Sequence, residues 1–130
     1  MKYLLDTHIW IWGVSNPAKL SREVKDVLDN SSNEFFISSI SVWEFLMLVE
    51  KDRITITEPL DDWLNTALLK SNINEIPVDK EIAIHSRKIT LPHQDPADRF
   101  IAATALTHQL TLVTSDGKLS ECREISVLYN

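Results

Sequence analysis

Asp95 and Asp98 stand three residues apart in QDPADRFIAATAL, residues 94–106, with Pro96 between them and an apolar run directly behind. Three more acids occupy comparable places: Asp6 in LLDTH, Glu44 in SISVWEF and Asp116 in LVTSD. Carboxylates brought to one point are the ligands that a hard cation such as Mg²⁺ prefers. A cation held this way can deprotonate a water and neutralise charge on a phosphodiester. Without a cation the cluster is costly, since two carboxylates ~4 Å apart repel by about 4 kcal/mol at an effective dielectric of 20. Four of them push one another's pKa values up or weaken the fold. The chain has one cysteine and no helical pair of histidines, which favours Mg²⁺ or Mn²⁺ over Zn²⁺.

Each acid also has a local reading. Asp95 fits an N-cap, Pro96 the first helical position and Asp98 the third, with both acids at the positive end of the helix dipole. A capping box prefers Glu or Gln at that third position, and Asp98 is one methylene short. The helix behind it, Phe100 to Leu106, is small and apolar on nearly every side, so it is expected to be buried and to hold Asp98 close to other elements. Asp6 can cap the segment after a strand, Ser41 to Glu44 matches a capping box, and Asp116-Gly117 is a turn dipeptide. These readings account for each acid alone. They do not account for four acids at one edge of a sheet.

The elements that must position the acids alternate. Residues 2–6, 34–38, 73–78, 110–114 and 125–128 read as strands. Residues 21–29 (capped by Ser21), 41–51, 59–70, 79–88 (capped by Asp79) and 95–108 read as helices, with a turn or brief helix over 8–14. This order predicts βαβ units, an α/β fold with a parallel sheet and helices on both faces. Open sheets of this kind bind ligands outside the carboxyl ends of their strands. Asp6, Glu44 and Asp116 follow strands and share that edge by topology. The N-terminus of a crossover helix lies near the same edge, so Asp98 can join them.

With 130 residues, one domain spanning residues 1–130 is expected, large enough for a full core. Two glycines, Gly13 and Gly117, cannot build a Gly-rich phosphate loop. The single Cys122 can form neither an internal disulfide nor a cysteine zinc site, and a reducing cytoplasm is the simplest compartment. Asp6 interrupts the short apolar run at the start, so that run reads as neither a signal peptide nor a membrane span. A net charge of −6 argues against nucleic-acid binding through a broad basic face. It leaves room for a nucleic-acid enzyme whose acids hold metal ions.

Other residues carry weaker signals. Thr7, Thr114 and Ser115 offer hydroxyls that can orient ligands, or can simply bond backbone at strand ends. Among His8, His85, His93 and His108, His8 is expected to be a satisfied structural residue and His108 to suit a helix C-terminus. Trp10, Trp12, Trp43 and Trp63 suit base stacking, but core or interface packing is the expectation for Trp43. Arg53, Arg87, Lys88 and Arg99 are available to hold a polyanion or to act as ordinary solvated charges. Apolar residues of the helices over 41–51 and 59–70 exceed what one sheet face needs, and a groove between them suits an amphipathic partner helix. A basic partner segment can place an Arg against the carboxylates.

Together LLDTH, SVWE, DPADRFIAATA and LVTSD, in this order over nearly the whole chain, resemble the PIN-domain ribonucleases, in particular the VapC toxins of toxin–antitoxin pairs. The resemblance implies an α/β/α sandwich around a parallel sheet. It implies a Mg²⁺- or Mn²⁺-dependent endoribonuclease that cuts structured RNA, often tRNA, and leaves a 5′-phosphate and a 3′-hydroxyl. It also implies a homodimer inhibited by a cognate VapB-type antitoxin. The family's four acids fall on Asp6, Glu44, Asp98 and Asp116, as metal ligands and catalytic carboxylates. In that scheme Asp6, Asp98 and Asp116 bind one ion, and Glu44 completes the site or helps to hold a second. Asp95 matches an auxiliary acid of the DPADR-type members, Arg99 follows the third acid as in that subgroup, and Thr7 and Ser115 match supporting positions.

Two other classes stay open on the residues. A haloacid-dehalogenase-like phosphatase wants an acid two residues after its nucleophilic Asp, where this chain has His8. A receiver domain wants an acidic pair after the first strand and a Lys past the last, and neither is clear. A non-catalytic interaction domain would use all the acids as caps and turns and would show no metal dependence.

Overall fold

The computed structural model describes residues 1–92 and 94–130. Among them, β1 (Lys2–Leu5), β2 (Glu34–Ser38), β3 (Ile73–Ile76), β4 (Thr111–Thr114) and β5 (Val127–Tyr129) form one parallel sheet in the order β3-β2-β1-β4-β5. The register pairs Tyr3 with Phe35 on one side and with Thr111 on the other. The first strand is therefore central, and the acid that follows it lies in the middle of the carboxyl edge.

Strand residues alternate between two apolar layers, as the period of two requires. Tyr3, Leu5, Phe35, Ile37 and Val113 face one layer, built on α1 (Thr7–Ser15), α2 (Arg22–Asp29), α3 (Ser39–Glu50) and α4 (Leu60–Asn65). Leu4 and Leu112 face the other, built on α5 (Lys80–Ser86), α6 (Pro96–His108) and α7 (Gly117–Ser120). The expected sheet with helices on both faces is what the chain forms. In the first layer Phe45 and Trp63 stack at 4.0 Å between ring centroids, with Trp10 edge-on to both. In the second, Ile101 to Ala105 are buried without a break, as expected of a helix apolar all round.

Several local expectations need correction. α3 starts at Ser39, with Ser38 as its cap, accepting from the Ile40 amide at 3.2 Å. Ser41 is thus a buried residue inside the helix and not the head of a capping box with Glu44. The helix expected over 59–70 ends at Asn65 and passes into a wider π-type turn over Thr66–Lys70. The Asp116-Gly117 pair does more than turn the chain, because Asp116 caps the short helix α7. The apolar faces of α3 and α4 are largely covered within the chain. Phe45 and Trp63 are buried, and Leu46, Leu48, Val49, Leu64 and Leu68 lie half-buried against the same core. Leu60 and Leu69 are exposed. Among the described residues no helix is long and apolar enough to cross a membrane.

Candidate active site

Asp6 ends β1, and its amide donates to the Val113 carbonyl of β4 at 2.9 Å. Its Oδ1 accepts from the Thr7 amide at 2.8 Å and caps α1. Its Oδ2 accepts from Thr114 Oγ1 at 2.7 Å, and that oxygen accepts from the Asp116 amide at 3.0 Å. Thr114 therefore links the ends of two neighbouring strands through the first acid. Asp6 is only 7% exposed. Burial pushes its carboxyl above the ordinary value, the Thr114 and Thr7 hydrogen bonds and nearby His8 pull it part of the way back, and Asp116 adds to the rise.

Glu44 reaches the same edge from α3, which touches both α1 and α6. Thr7 Oγ1 lies 2.6 Å from Glu44 Oε1 and 2.9 Å from Ser41 Oγ, and its one proton is best directed to the carboxylate. Glu44 is also held above its ordinary value, by burial first and then by Asp6 and Asp95, against the Thr7 hydrogen bond and His8.

Asp98 arrives on the first turn of α6. Asp95 caps this helix as expected, Oδ1 accepting from the amides of Ala97 at 3.0 Å and Asp98 at 3.4 Å. Partial burial, then the charges of Asp6, Asp95, Asp116 and Glu44, push the Asp98 carboxyl up to about 8. Asp116 caps α7 through Oδ1, which accepts from the Lys118 amide at 2.8 Å. Each acid thus has the structural role its local sequence suggests or a tertiary one, and all of them also raise Asp98 together.

The supporting residues divide. Thr7 grips Glu44. Thr114 binds the side chain of Asp6, a role that its alternative as a strand-end backbone partner does not cover, and Ser41 lies behind Thr7. A hydroxyl at a strand end or in the first turn of a helix was the only signal for either. Ser115 is half-buried beside Asp116 and makes no side-chain hydrogen bond to a described residue. Arg99 is buried, with Nε donating to the Ser86 carbonyl at 2.8 Å and Nη2 to that of Ile89 at 3.0 Å, so it secures α6 to the end of α5 and is no solvated charge. His8 is exposed and tilted against Trp12, with ring centroids 5.5 Å apart, and is not the satisfied interior residue expected. His108 is exposed in the last turn of α6, as expected, and His93 lies outside the described residues. Trp43, expected in a core or interface, is 53% exposed.

The donor set is carboxylate oxygen throughout, the kind a hard divalent cation takes. The acids raise one another because like charges brought close disfavour ionisation. As they stand, no three Asp, Glu, His or Cys side chains among the described residues are grouped closely enough to hold an ion. The set fits a divalent cation in donor chemistry, and its members stand along one edge of the sheet.

The chain as a whole is similar to known proteins. The family model described as PIN domain matches residues 3–125. Ribonuclease VapC22 of Mycobacterium tuberculosis is 32% identical over 123 residues, covering 92% of this chain and 91% of the relative. Among solved structures, VapBC2 of Rickettsia felis, bound to a DNA fragment from its promoter, has a TM-score of 0.71 at 19% identity, covering 99% of this chain and 98% of that one. A toxin–antitoxin complex from Klebsiella pneumoniae has a TM-score of 0.60 at 25% identity, covering 97% and 95%.

Proposed function

Because the chain belongs to the PIN-domain family, with a VapC ribonuclease among its relatives, we propose that its carboxylate edge is the active site of a Mg²⁺- or Mn²⁺-dependent endoribonuclease. The observation that carries this reading is the meeting of Asp6, Glu44, Asp98 and Asp116 at one edge of the sheet, from the ends of β1 and β4, from α3 and from the first turn of α6, close enough that the other acids help to raise the Asp98 carboxyl. Clustered carboxylates of this kind are relieved by a bound cation. Asp6, Glu44, Asp98 and Asp116 are the proposed ligands, with Asp95 beside them.

A bound ion supplies an acidified water and positive charge against the phosphodiester. The chain's residues do the rest. Thr114 and the Thr7 amide hold both oxygens of Asp6 in one orientation. Thr7 fixes Glu44 through its hydroxyl. Asp95 sets the first turn of α6 and so the position of Asp98. The phosphatase alternative is weaker here, since the position it needs acidic is the exposed His8.

The same reading takes residues 1–130 as one domain, working in the cytoplasm as a homodimer on structured RNA such as tRNA, and held inactive by a VapB-type antitoxin. The antitoxin is supported by solved relatives that are toxin–antitoxin or VapBC assemblies.

Titration of metal-free protein with Mn²⁺ by calorimetry tests the reading without knowledge of the RNA. Binding should be present in the wild type and lost in Asp98→Asn. EDTA should abolish RNA cleavage and excess Mg²⁺ or Mn²⁺ restore it, and cleavage that survives EDTA would overturn the metal role. Thr114→Val removes the hydroxyl that orients Asp6 and should weaken Mn²⁺ binding by roughly tenfold, with circular dichroism unchanged. An unaltered affinity would remove Thr114 from the site.

A further inference from the structure

A recess of about 360 Å³ opens beside the carboxylate edge, between α3 and the start of α6. Ile40, Trp43, Met47 and Pro96 give it an apolar lining, and Glu44 and Asp95 form its acidic side. Trp43 is the anomaly. Its neighbours in sequence, Glu44 and Phe45, face the acids and the core, while its indole is 53% exposed. In the adjoining layer Trp10, Phe45 and Trp63 are buried and Trp12 is half-buried.

We propose that this recess is a nucleobase subsite, in which Trp43 stacks an unpaired base of the RNA next to the phosphate being cut. The inference rests on the ribonuclease reading of the neighbouring acids. Its occupant follows from the lining. An exposed indole with a thioether and aliphatic groups around it takes a flat, largely apolar ring. Two carboxylates on its side repel phosphate and accept hydrogen bonds from the exocyclic amines of a base. The recess shares Glu44 with the proposed metal site, so a base seated here lies on the nucleotide beside the reacting phosphate. Trp43 is then a positioning residue, acting on how RNA sits and not on the bond that breaks.

Two measurements test this. In the first, adenosine, a base without a phosphate, is titrated into metal-free protein while the indole N–H signals are followed by NMR. The Trp43 signal, identified by its loss in Trp43→Phe, should shift while those of buried Trp10 and Trp63 stay in place. In the second, cleavage of a single-stranded RNA is compared. Trp43→Ala should raise KM by about tenfold with kcat nearly unchanged, and Trp43→Phe should recover most of the loss. An unmoved Trp43 signal or an unchanged KM overturns the subsite. So does a Trp43→Ala variant that cuts RNA normally but releases a protein antitoxin, since the surface then belongs to that partner. A Trp43 signal that shifts in a protein unable to cut RNA shows that the recess binds a base and overturns the hydrolase reading instead, and with it the place of that base beside a reacting phosphate.

Discussion

Asp98→Asn should lower RNA cleavage by roughly 10³-fold or more while making the metal-free protein more stable at pH 8. The loss of activity follows from removing a proposed cation ligand, since several kcal/mol of charge stabilisation is lost at about 1.4 kcal/mol per tenfold in rate. The gain in stability follows from linkage. Asp98 titrates at about 8 in the folded protein against an ordinary 3.8. Between those values the folded protein keeps a proton that the unfolded chain has released, so stability falls as pH rises. The contribution is fully present below about pH 4 and lost above about pH 8. Asp6 and Glu44, also raised, act in the same direction. Asn carries no charge to lose. After discounting for the solvent that reaches this half-buried group, the variant should gain about 1–3 kcal/mol at pH 8. Urea unfolding in EDTA at pH 5 and pH 8 measures it. A wild type that is more stable at pH 8 than at pH 5 would show that the acids do not strain the fold. Adding Mn²⁺ at pH 8 should reverse the order, because the wild type alone gains ligand stabilisation.

Arg99→Ala should cost about 3–5 kcal/mol, more than any surface charge in the chain. The guanidinium donates to the carbonyls of Ser86 and Ile89, at and just beyond the end of α5. Those are among the carbonyls that a helix C-terminus leaves without partners, and a cation there also meets the negative end of the dipole. Removal leaves buried acceptors unpaired and loosens α6, whose first turn carries Asp98. Arg99→Lys should recover less than half of the loss, because one ammonium lacks the planar fork that reaches both carbonyls. Urea midpoints measure this. If Arg99 instead served RNA, the alanine variant would keep its midpoint and raise KM, and the structural account would fail.

The fold and the acids were legible for the same reason. Strands with short apolar runs and helices with plain caps, such as Ser21, Asp79 and Asp95, carry their structure locally. A parallel sheet then brings the ends of those strands to one edge without further information. What stayed hidden depends on partners distant in sequence. Ser41 and Glu44 match a capping box, but Thr7, more than thirty residues earlier, takes both side chains. Thr114 looks like any strand-end threonine until β4 pairs with β1 and sets it against Asp6. Arg99 resembles a surface cation because nothing in its neighbourhood reveals that α5 ends against it. Trp43 sits on an apolar helix, and periodicity alone turns it inward. α3 meets helices of both layers, and that leaves the Trp43 face uncovered.

The central position of β1 also governs timing. A chain is made from its N-terminus, so Asp6, Glu44 and Asp98 all exist before β4. Until β4 slots in beside β1, Thr114 cannot hold Asp6 and Asp116 has no place at the edge. Pairings between strands so far apart in sequence are among the slow steps of folding. A growing chain therefore lacks the complete carboxylate edge until β4 has been made and has paired with β1.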